Sequence, residues 1–127
     1  MPTPRSALVG TVLVYLVVLL LALDGLAQLL QPGFMVAIME GSQIPLAMAP
    51  LLGAITLSCA VILAIPRLAP LGAVLVTGFL GGAIAIHFRL GEFGTPPQVI
   101  CLALGLATWV GLYLRDARIR AVVRAPA

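Results

Sequence analysis

The chain has 127 residues, of which 62% are hydrophobic and only 9% are charged, and its formal net charge is +3. A composition this apolar excludes a soluble monomer, because too few polar residues are available to cover a surface that faces water. After the apolar stretches are counted, these residues also leave no length for a separate catalytic domain, so we expect a single domain over residues 1–127.

Four apolar stretches follow one another along the chain, at residues 7–30, 44–65, 71–88 and 98–114. Each is close to the roughly 20 residues that a helix needs to cross about 30 Å of hydrocarbon. A bilayer favours helices because every backbone N–H and C=O must find a partner within its own segment. We therefore predict an all-α protein built as a bundle of four transmembrane helices.

The first stretch resembles a secretory signal peptide only in part. Its apolar run exceeds the usual length of roughly 7 to 15 residues, and no A-x-A cleavage site follows it. We interpret it as a membrane span.

The connection between the first two spans, residues 34–43, has a helical pattern of its own. Phe34, Met35, Ile38 and Met39 recur at helical spacing, which predicts a short helix lying in the membrane interface. The pattern fits a lid over the mouth of the bundle and a hydrophobic turn at the lipid surface equally well.

The arginines predict the orientation of the bundle, since Lys and Arg beside membrane spans stay in the cytoplasm. Arg89 falls on one side, and six fall on the other: Arg5, Arg67, Arg115, Arg118, Arg120 and Arg124. We predict a multi-pass protein of the cell (inner) membrane with both termini in the cytoplasm. The basic tail indicates a helix end resting on anionic lipid rather than a nucleic-acid-binding segment.

The third span carries a small-x-x-x-small motif, formed by Gly78 and Gly82 with Gly81 and Ala85 beside them. Such a motif lets a second helix approach closely. Contact within the same chain is the favoured interpretation, because a four-helix bundle needs such contacts itself, and a partner subunit is the alternative.

Reactive groups are few. Cys59 and Cys101 lie at different depths, so we expect no disulfide. With one His and no clustered thiols or carboxylates, we also expect no metal site, no cofactor and no catalytic residue.

Four polar residues in the spans form the candidate site: Asp24, Gln28, His87 and Arg89. An ionisable group within a membrane marks a functional site by default. Asp24 lies six residues before Leu30, or roughly 9 Å below the helix end, and a charged form there needs a partner or must take up a proton. We predict an ion pair with Arg89, or less favourably with His87. A buried structural pair and a site that binds a ligand or handles protons both remain open.

Several segments together resemble the DoxX-like family of small four-helix membrane proteins. The resemblance rests on Ile65-Pro66-Arg67, on Leu71-Gly72-Ala73 and on the run from Thr77 to Ala85 with His87 and Arg89. Asp24-Gly25, Leu51-Leu52-Gly53 and the segment from Gly111 to Asp116 fit it as well.

The resemblance implies a fold more than a reaction, because most members of the family have no assigned activity. Some relatives are linked to quinone-dependent oxidation of sulfur compounds, and more distant ones act as membrane chaperones or cargo receptors. Similar proteins often carry Lys at the position of Gln28, an acidic residue near Thr56 and Tyr at the position of Phe79. The loss of these groups disfavours acid–base chemistry here.

Three hypotheses follow for the function. The first is an accessory protein without catalysis, which contacts the bilayer and binds a membrane protein partner, a second copy of itself or a lipid-like ligand. The second is a component of a quinone-linked oxidoreductase, with Asp24 and His87 handling protons beside a quinone or another apolar molecule. The third, a small transporter, is the weakest, because the sequence shows no inverted repeat.

Overall fold

A computed structural model describes residues 3–127 as helices joined by short connections. The helices are α1 (Pro4–Leu30), α2 (Gly33–Gly41), α3 (Ala49–Ala64), α4 (Ala69–Arg89), α5 (Pro96–Arg115) and α6 (Ala117–Arg124), and a short 3-10 turn, Leu46–Met48, leads into α3. By length and composition, four segments can each cross a membrane. They are α1, α4, α5, and α3 together with the 3-10 turn that precedes it. The prediction of an all-α fold with four spans is confirmed, and the span ends differ from the predicted ones by at most three residues.

The four long helices form a ring. Helix α1 packs against α3 and α5, and α4 packs against the same two helices. Helices α1 and α4 are therefore diagonal neighbours across the bundle. The six arginines predicted on one side lie together where α1 begins and α5 ends, which we call the basic end, and the opposite end is the α2 end.

Single glycines, rather than the predicted motif, bring the helices into close contact. A Cβ atom placed on Gly10 of α1 would lie 2.5 Å from the carbonyl oxygen of Gly111 on α5. A Cβ atom on Gly53 of α3 would lie 2.8 Å from the carbonyl oxygen of Gly25 on α1. These distances mean that the two backbones touch at each crossing, which only glycine allows.

The prediction that Gly78 and Gly82 pack within the chain is wrong. A Cβ atom added at either residue, or at Gly81, would meet nothing within 4 Å. The buried face of α4 is formed instead by Ala69, Gly72, Ala73, Val76 and Leu80. Gly78 follows Val76 by two residues, or about 200° around the helix, so it points away from the core.

The bundle is closed at the basic end and opens toward the α2 end. Beyond Leu80 no residue of α4 is buried, and on α5 no residue between Gln98 and Thr108 is buried. Helices α1 and α3, by contrast, stay in contact as far as Gly25 and Gly53. The α2-end halves of α4 and α5 are therefore packed less tightly than the rest of the bundle, and we refer to this loosely packed region beside α1 as the cleft.

Helix α2 confirms the short helix predicted after the first span. Met35 and Met39 are buried against Ala27, Ala49 and neighbouring residues at the ends of α1 and α3. On its other side Phe34 is 62% exposed. One face of α2 therefore packs on the ends of two spans while the other faces outward.

The basic tail folds as a separate helix, α6, that is anchored to the turn between α3 and α4. Asp116 caps α6 by accepting a hydrogen bond from the backbone N–H of Arg118 at 2.9 Å. The Arg118 guanidinium donates to the carbonyl oxygens of Pro66 and Arg67 at 2.7 and 2.9 Å. Its hydrogen bonds to the Asp116 carboxylate hold the pKa of that carboxyl below its usual value. Arg118 thus ties the end of the chain to the bundle.

Candidate functional site

Asp24 lies on the side of α1 that faces the other helices. It follows Val17 by seven residues, which is about 20° short of two full turns, so the two side chains share a face. Val17 is only 1% exposed and Gln28, one turn beyond Asp24, is 7% exposed. Asp24 is nevertheless exposed. Its exposure leaves this carboxyl group accessible from outside the bundle.

Asp24 and Gln28 form one polar unit on α1. The Gln28 side-chain amide donates a hydrogen bond from Nε2 to Asp24 Oδ2 at 2.6 Å. Residues four apart on a helix are neighbours, so their spacing alone allows this contact. The Gln28 Oε1 atom is buried and has no hydrogen-bond partner among the described residues. The unit therefore holds an unsatisfied, occluded acceptor beside an accessible carboxylate.

An apolar groove runs between α4 and α5 on the far side of the cleft. Its volume is about 240 Å³, and it is lined by Thr77, Leu80, Gly81, Ile84, Cys101, Leu102, Gly105, Leu106 and Trp109. Trp109 Nε1 donates to Thr77 Oγ1 at 2.8 Å, and this bond bridges the groove at its side nearer the basic end. Cys101, a groove residue, is partly buried against the hydrophobic core that also contains Val17 and Leu21 of α1.

The other two predicted site residues lie elsewhere. His87 Nδ1 is hydrogen-bonded to the carboxylate of Glu92, just beyond the end of α4. Arg89 Nη2 donates to the carbonyl oxygen of Ser42 at 3.4 Å and so links α4 to the connection after α2. Of the predicted cluster, the structure brings together Asp24 and Gln28 only.

The predicted ion pair of Asp24 with Arg89, or with His87, is therefore wrong. The ion pairs among residues 3–127 are those of His87 with Glu92 and of Arg118 with Asp116. The physical reason is the order of the helices in the ring, which places α1 and α4 on a diagonal. The prediction had rested only on the comparable depth of Asp24, His87 and Arg89 in the membrane.

Three contacts within the bundle were not predicted from the sequence. Glu92 follows His87 by five residues, and this spacing around a helix end is the signal that could have identified it as the partner. The Trp109 to Thr77 hydrogen bond and the Gly10 to Gly111 crossing join residues far apart in the chain. No local pattern identifies such contacts.

The chemistry available in the cleft is that of hydrogen-bond acceptors. Asp24 offers an exposed carboxylate, whereas the Gln28 amide oxygen is closed off inside the bundle. Within residues 3–127, no group of three or more His, Cys, Asp or Glu side chains is placed to hold a metal ion. These groups suit recognition of a molecule that carries a hydrogen-bond donor and an apolar chain.

Comparison with known proteins agrees with the fold. The family model described as the DoxX-like family matches residues 12–111, which include most of α1, all of α2, α3 and α4, and most of α5. Neither the curated proteins nor the solved structures give a significant match. The matched range contains the open face of α4 as well as Asp24 and Gln28. From this match and from its four membrane-spanning helices, the chain belongs to the DoxX-like family.

Proposed function

We propose that this protein binds a lipid-like molecule in the cleft at the α2 end and catalyses no reaction of its own. The polar part of the ligand contacts Asp24, and its apolar chain lies in the groove between α4 and α5. The observation that carries the proposal is the exposure of Asp24 on a helix face that is otherwise buried.

The energetics of a membrane favour an occupant for this cleft. An acidic side chain in the middle of a membrane helix costs roughly 2.5 to 3.5 kcal/mol on insertion scales, unless a partner offsets the cost. Gln28 supplies one hydrogen bond, and no cationic side chain among the described residues pairs with Asp24. A ligand, ordered water or a bound proton would offset the rest of this cost.

Binding is better supported than the quinone-linked alternative. A proton-handling site needs an acid and a base within hydrogen-bond reach of one substrate. His87, the second group that the alternative requires, is hydrogen-bonded to Glu92 and belongs to the helix diagonal to that of Asp24. One carboxyl group with an amide beside it suits recognition rather than turnover.

The groove can be tested by filling it. In lipid nanodiscs, an apolar probe with a photoreactive group in its chain should label the residues lining the groove. A side chain at Gly105 would enter the groove near Leu80, because its Cβ atom would lie 3.9 Å from Leu80 Cδ1. We expect Gly105→Leu to reduce labelling by about tenfold, the effect of losing ~1.4 kcal/mol of binding energy.

Ala103→Leu is the matched control, since Ala103 is exposed on the same helix and does not line the groove. It should leave the labelling of the groove unchanged. Equal labelling on every lipid-facing helix surface, with no effect of Gly105→Leu, would show that the groove is not a binding site.

A second candidate function is association with another membrane protein or a second copy of this chain. The open face of α4 favours it, because Gly78 and Gly82, which do not line the groove, have no neighbouring atoms that a Cβ would meet. Helices associate in membranes through such small residues, which let backbones approach closely. This face points away from the core, so both functions can coexist.

We also propose that the protein lies in the cell membrane with the basic end in the cytoplasm. The gathering of six arginines at one end supports this orientation. In a variant without Cys59 and Cys101, a membrane-impermeant thiol reagent added from outside should label a cysteine at Gly41 and not one at Ala121. Both positions are exposed. Labelling at Ala121 alone would reverse the orientation.

A further inference from the structure

We infer that α6 binds anionic phospholipid at the membrane surface, with Arg120 and Arg124 contacting the phosphate group and an apolar face reaching into the interface. This surface lies at the basic end and is independent of the ligand proposed for the α2 end. The sequence predicts only that the basic tail rests on anionic lipid. The fold of α6 goes further, because it separates the arginines that are available to bind lipid from the one that holds the helix in place.

Helix α6 starts at the point where the fourth span ends. Asp116 alone separates it from α5. The backbone of Asp116 is extended, which breaks the helix and turns the chain. Beyond this turn, Ile119 packs on the core of the bundle, and Arg118 donates to backbone carbonyl groups between α3 and α4. These contacts hold α6 against the end of the bundle, at the level where the spans leave the membrane.

The apolar face of α6 continues past the bundle. Ile119, Val122 and Val123 lie within about 100° of one another around the helix. Ile119 is partly buried, whereas Val122 is 76% and Val123 is 65% exposed. Because the three share one face and Ile119 is directed to the bundle, the two valines are directed to the level of the membrane. A short helix at this level places such a face in contact with lipid in the interface.

The arginines of α6 divide into two groups. Arg118 is bonded to Asp116 and to two backbone carbonyl groups, so it anchors the helix. Arg120 and Arg124 are four residues apart and therefore share a side of the helix. Arg120 Nη1 donates to the carbonyl oxygen of Tyr113 at 2.9 Å, and Arg124 Nη2 donates to the Tyr113 hydroxyl at 3.3 Å. No carboxylate among the described residues forms an ion pair with either guanidinium.

Tyr113 holds both guanidinium groups at the end of the fourth span. A guanidinium has five N–H donors, and each bond to Tyr113 uses one of them. The Arg124 guanidinium carbon also lies 5.9 Å from the centre of the Tyr113 ring. Phosphate oxygens accept hydrogen bonds from several N–H groups of arginine, often in pairs. Two guanidinium groups held beside one tyrosine therefore suit a phosphate.

An anionic bilayer accounts for both features of α6. A nucleic acid could pair with the two arginines but would leave Val122 and Val123 exposed to water. A neutral bilayer would cover the valines but would supply no net negative charge to the guanidinium groups. Anionic phospholipid does both, and the continuity of α6 with a membrane span places the helix beside such lipid.

The test compares two photoreactive lipids that differ only in the head group. Nanodiscs of phosphatidylcholine carry a trace of either phosphatidylglycerol or phosphatidylcholine with a photoreactive group near the top of one acyl chain. We expect the phosphatidylglycerol probe to label α6 and the end of α5 about 25-fold more, because each arginine at an anionic head group contributes a factor of roughly five.

Variants assign the preference to the two arginines. Arg120→Gln combined with Arg124→Gln should bring labelling by the two lipids close to equality. Arg124→Gln alone should lower the preference about fivefold, and it is the second variant if the double change folds poorly, since Arg124 is exposed. Arg5→Gln combined with Arg67→Gln is the matched control, because it removes the same charge from exposed positions at the same end. It should leave most of the preference intact, since exposed charges elsewhere are screened by salt.

A pair of cysteines tests the apolar face. In a variant without Cys59 and Cys101, a thiol is introduced at Val123 or at Ala121, which lies about 160° away around the helix. In nanodiscs that contain phosphatidylglycerol, a water-soluble thiol reagent should modify the cysteine at Ala121 several times faster than the one at Val123.

Three results would overturn the inference, and none of them depends on the groove between α4 and α5. Equal labelling of α6 by the two lipids would show no preference for the anionic head group. An equal loss of preference in the control variant with changes at Arg5 and Arg67 would make general surface charge the cause. Equal modification of the two thiols would show that the apolar face is not in the membrane and is open to a protein partner instead.

Discussion

Replacing Gly10 with alanine is expected to destabilise the bundle by about 1 to 3 kcal/mol, the usual cost of overpacking a close contact. The added Cβ atom would lie 2.5 Å from the carbonyl oxygen of Gly111 and 2.9 Å from Leu114 Cβ. The first of these atoms belongs to backbone, which cannot rotate away as a side chain can. Thermal unfolding in mild detergent, followed by the loss of helical circular dichroism, measures the effect.

Gly82→Ala provides the matched control for this prediction. A Cβ atom at Gly82 meets nothing within 4 Å, so the same chemical change should leave the unfolding temperature of the monomer nearly unchanged. If a second copy packs on this face, Gly82→Leu should abolish cross-linking between copies without unfolding either one. Equal destabilisation by Gly10→Ala and Gly82→Ala would contradict the packing described for α1 and α5.

The interaction of Asp24 is expected to be with Gln28 and not with Arg89. In a double-mutant cycle, Asp24→Ala and Gln28→Ala should show a coupling energy of about 0.5 to 3 kcal/mol, the range for residues in contact. The reason is the 2.6 Å hydrogen bond between their side chains. The free energy of unfolding of both single variants and the double variant, measured in the same mixed micelles, gives this value.

Arg89→Gln combined with Asp24→Ala is the control cycle. Because α1 and α4 lie on a diagonal, these two changes should add to within about 0.3 to 0.5 kcal/mol. A large coupling between Asp24 and Arg89, with none between Asp24 and Gln28, would restore the ion pair that the structure does not contain.

Much of the architecture could be predicted from the sequence, because a bilayer leaves a membrane segment little choice. The apolar stretches had to be helices, and their lengths located the four spans to within a few residues. The helical spacing of Met35 and Met39 predicted α2. The contact between Asp24 and Gln28 was within reach of the same local reasoning, since the two residues are four apart on one helix.

The order of the helices in the ring was decided by the tertiary structure alone. Both sides of α4 are apolar, since one side carries Ala69, Ala73 and Val76 and the other carries Leu71, Val74 and Gly78. Lipid tails are as apolar as a protein core, so hydrophobicity cannot choose which side is buried. That choice depends on shape at contacts such as Gly10 with Gly111. The same order put α1 and α4 on a diagonal and left Asp24 facing a cleft instead of Arg89.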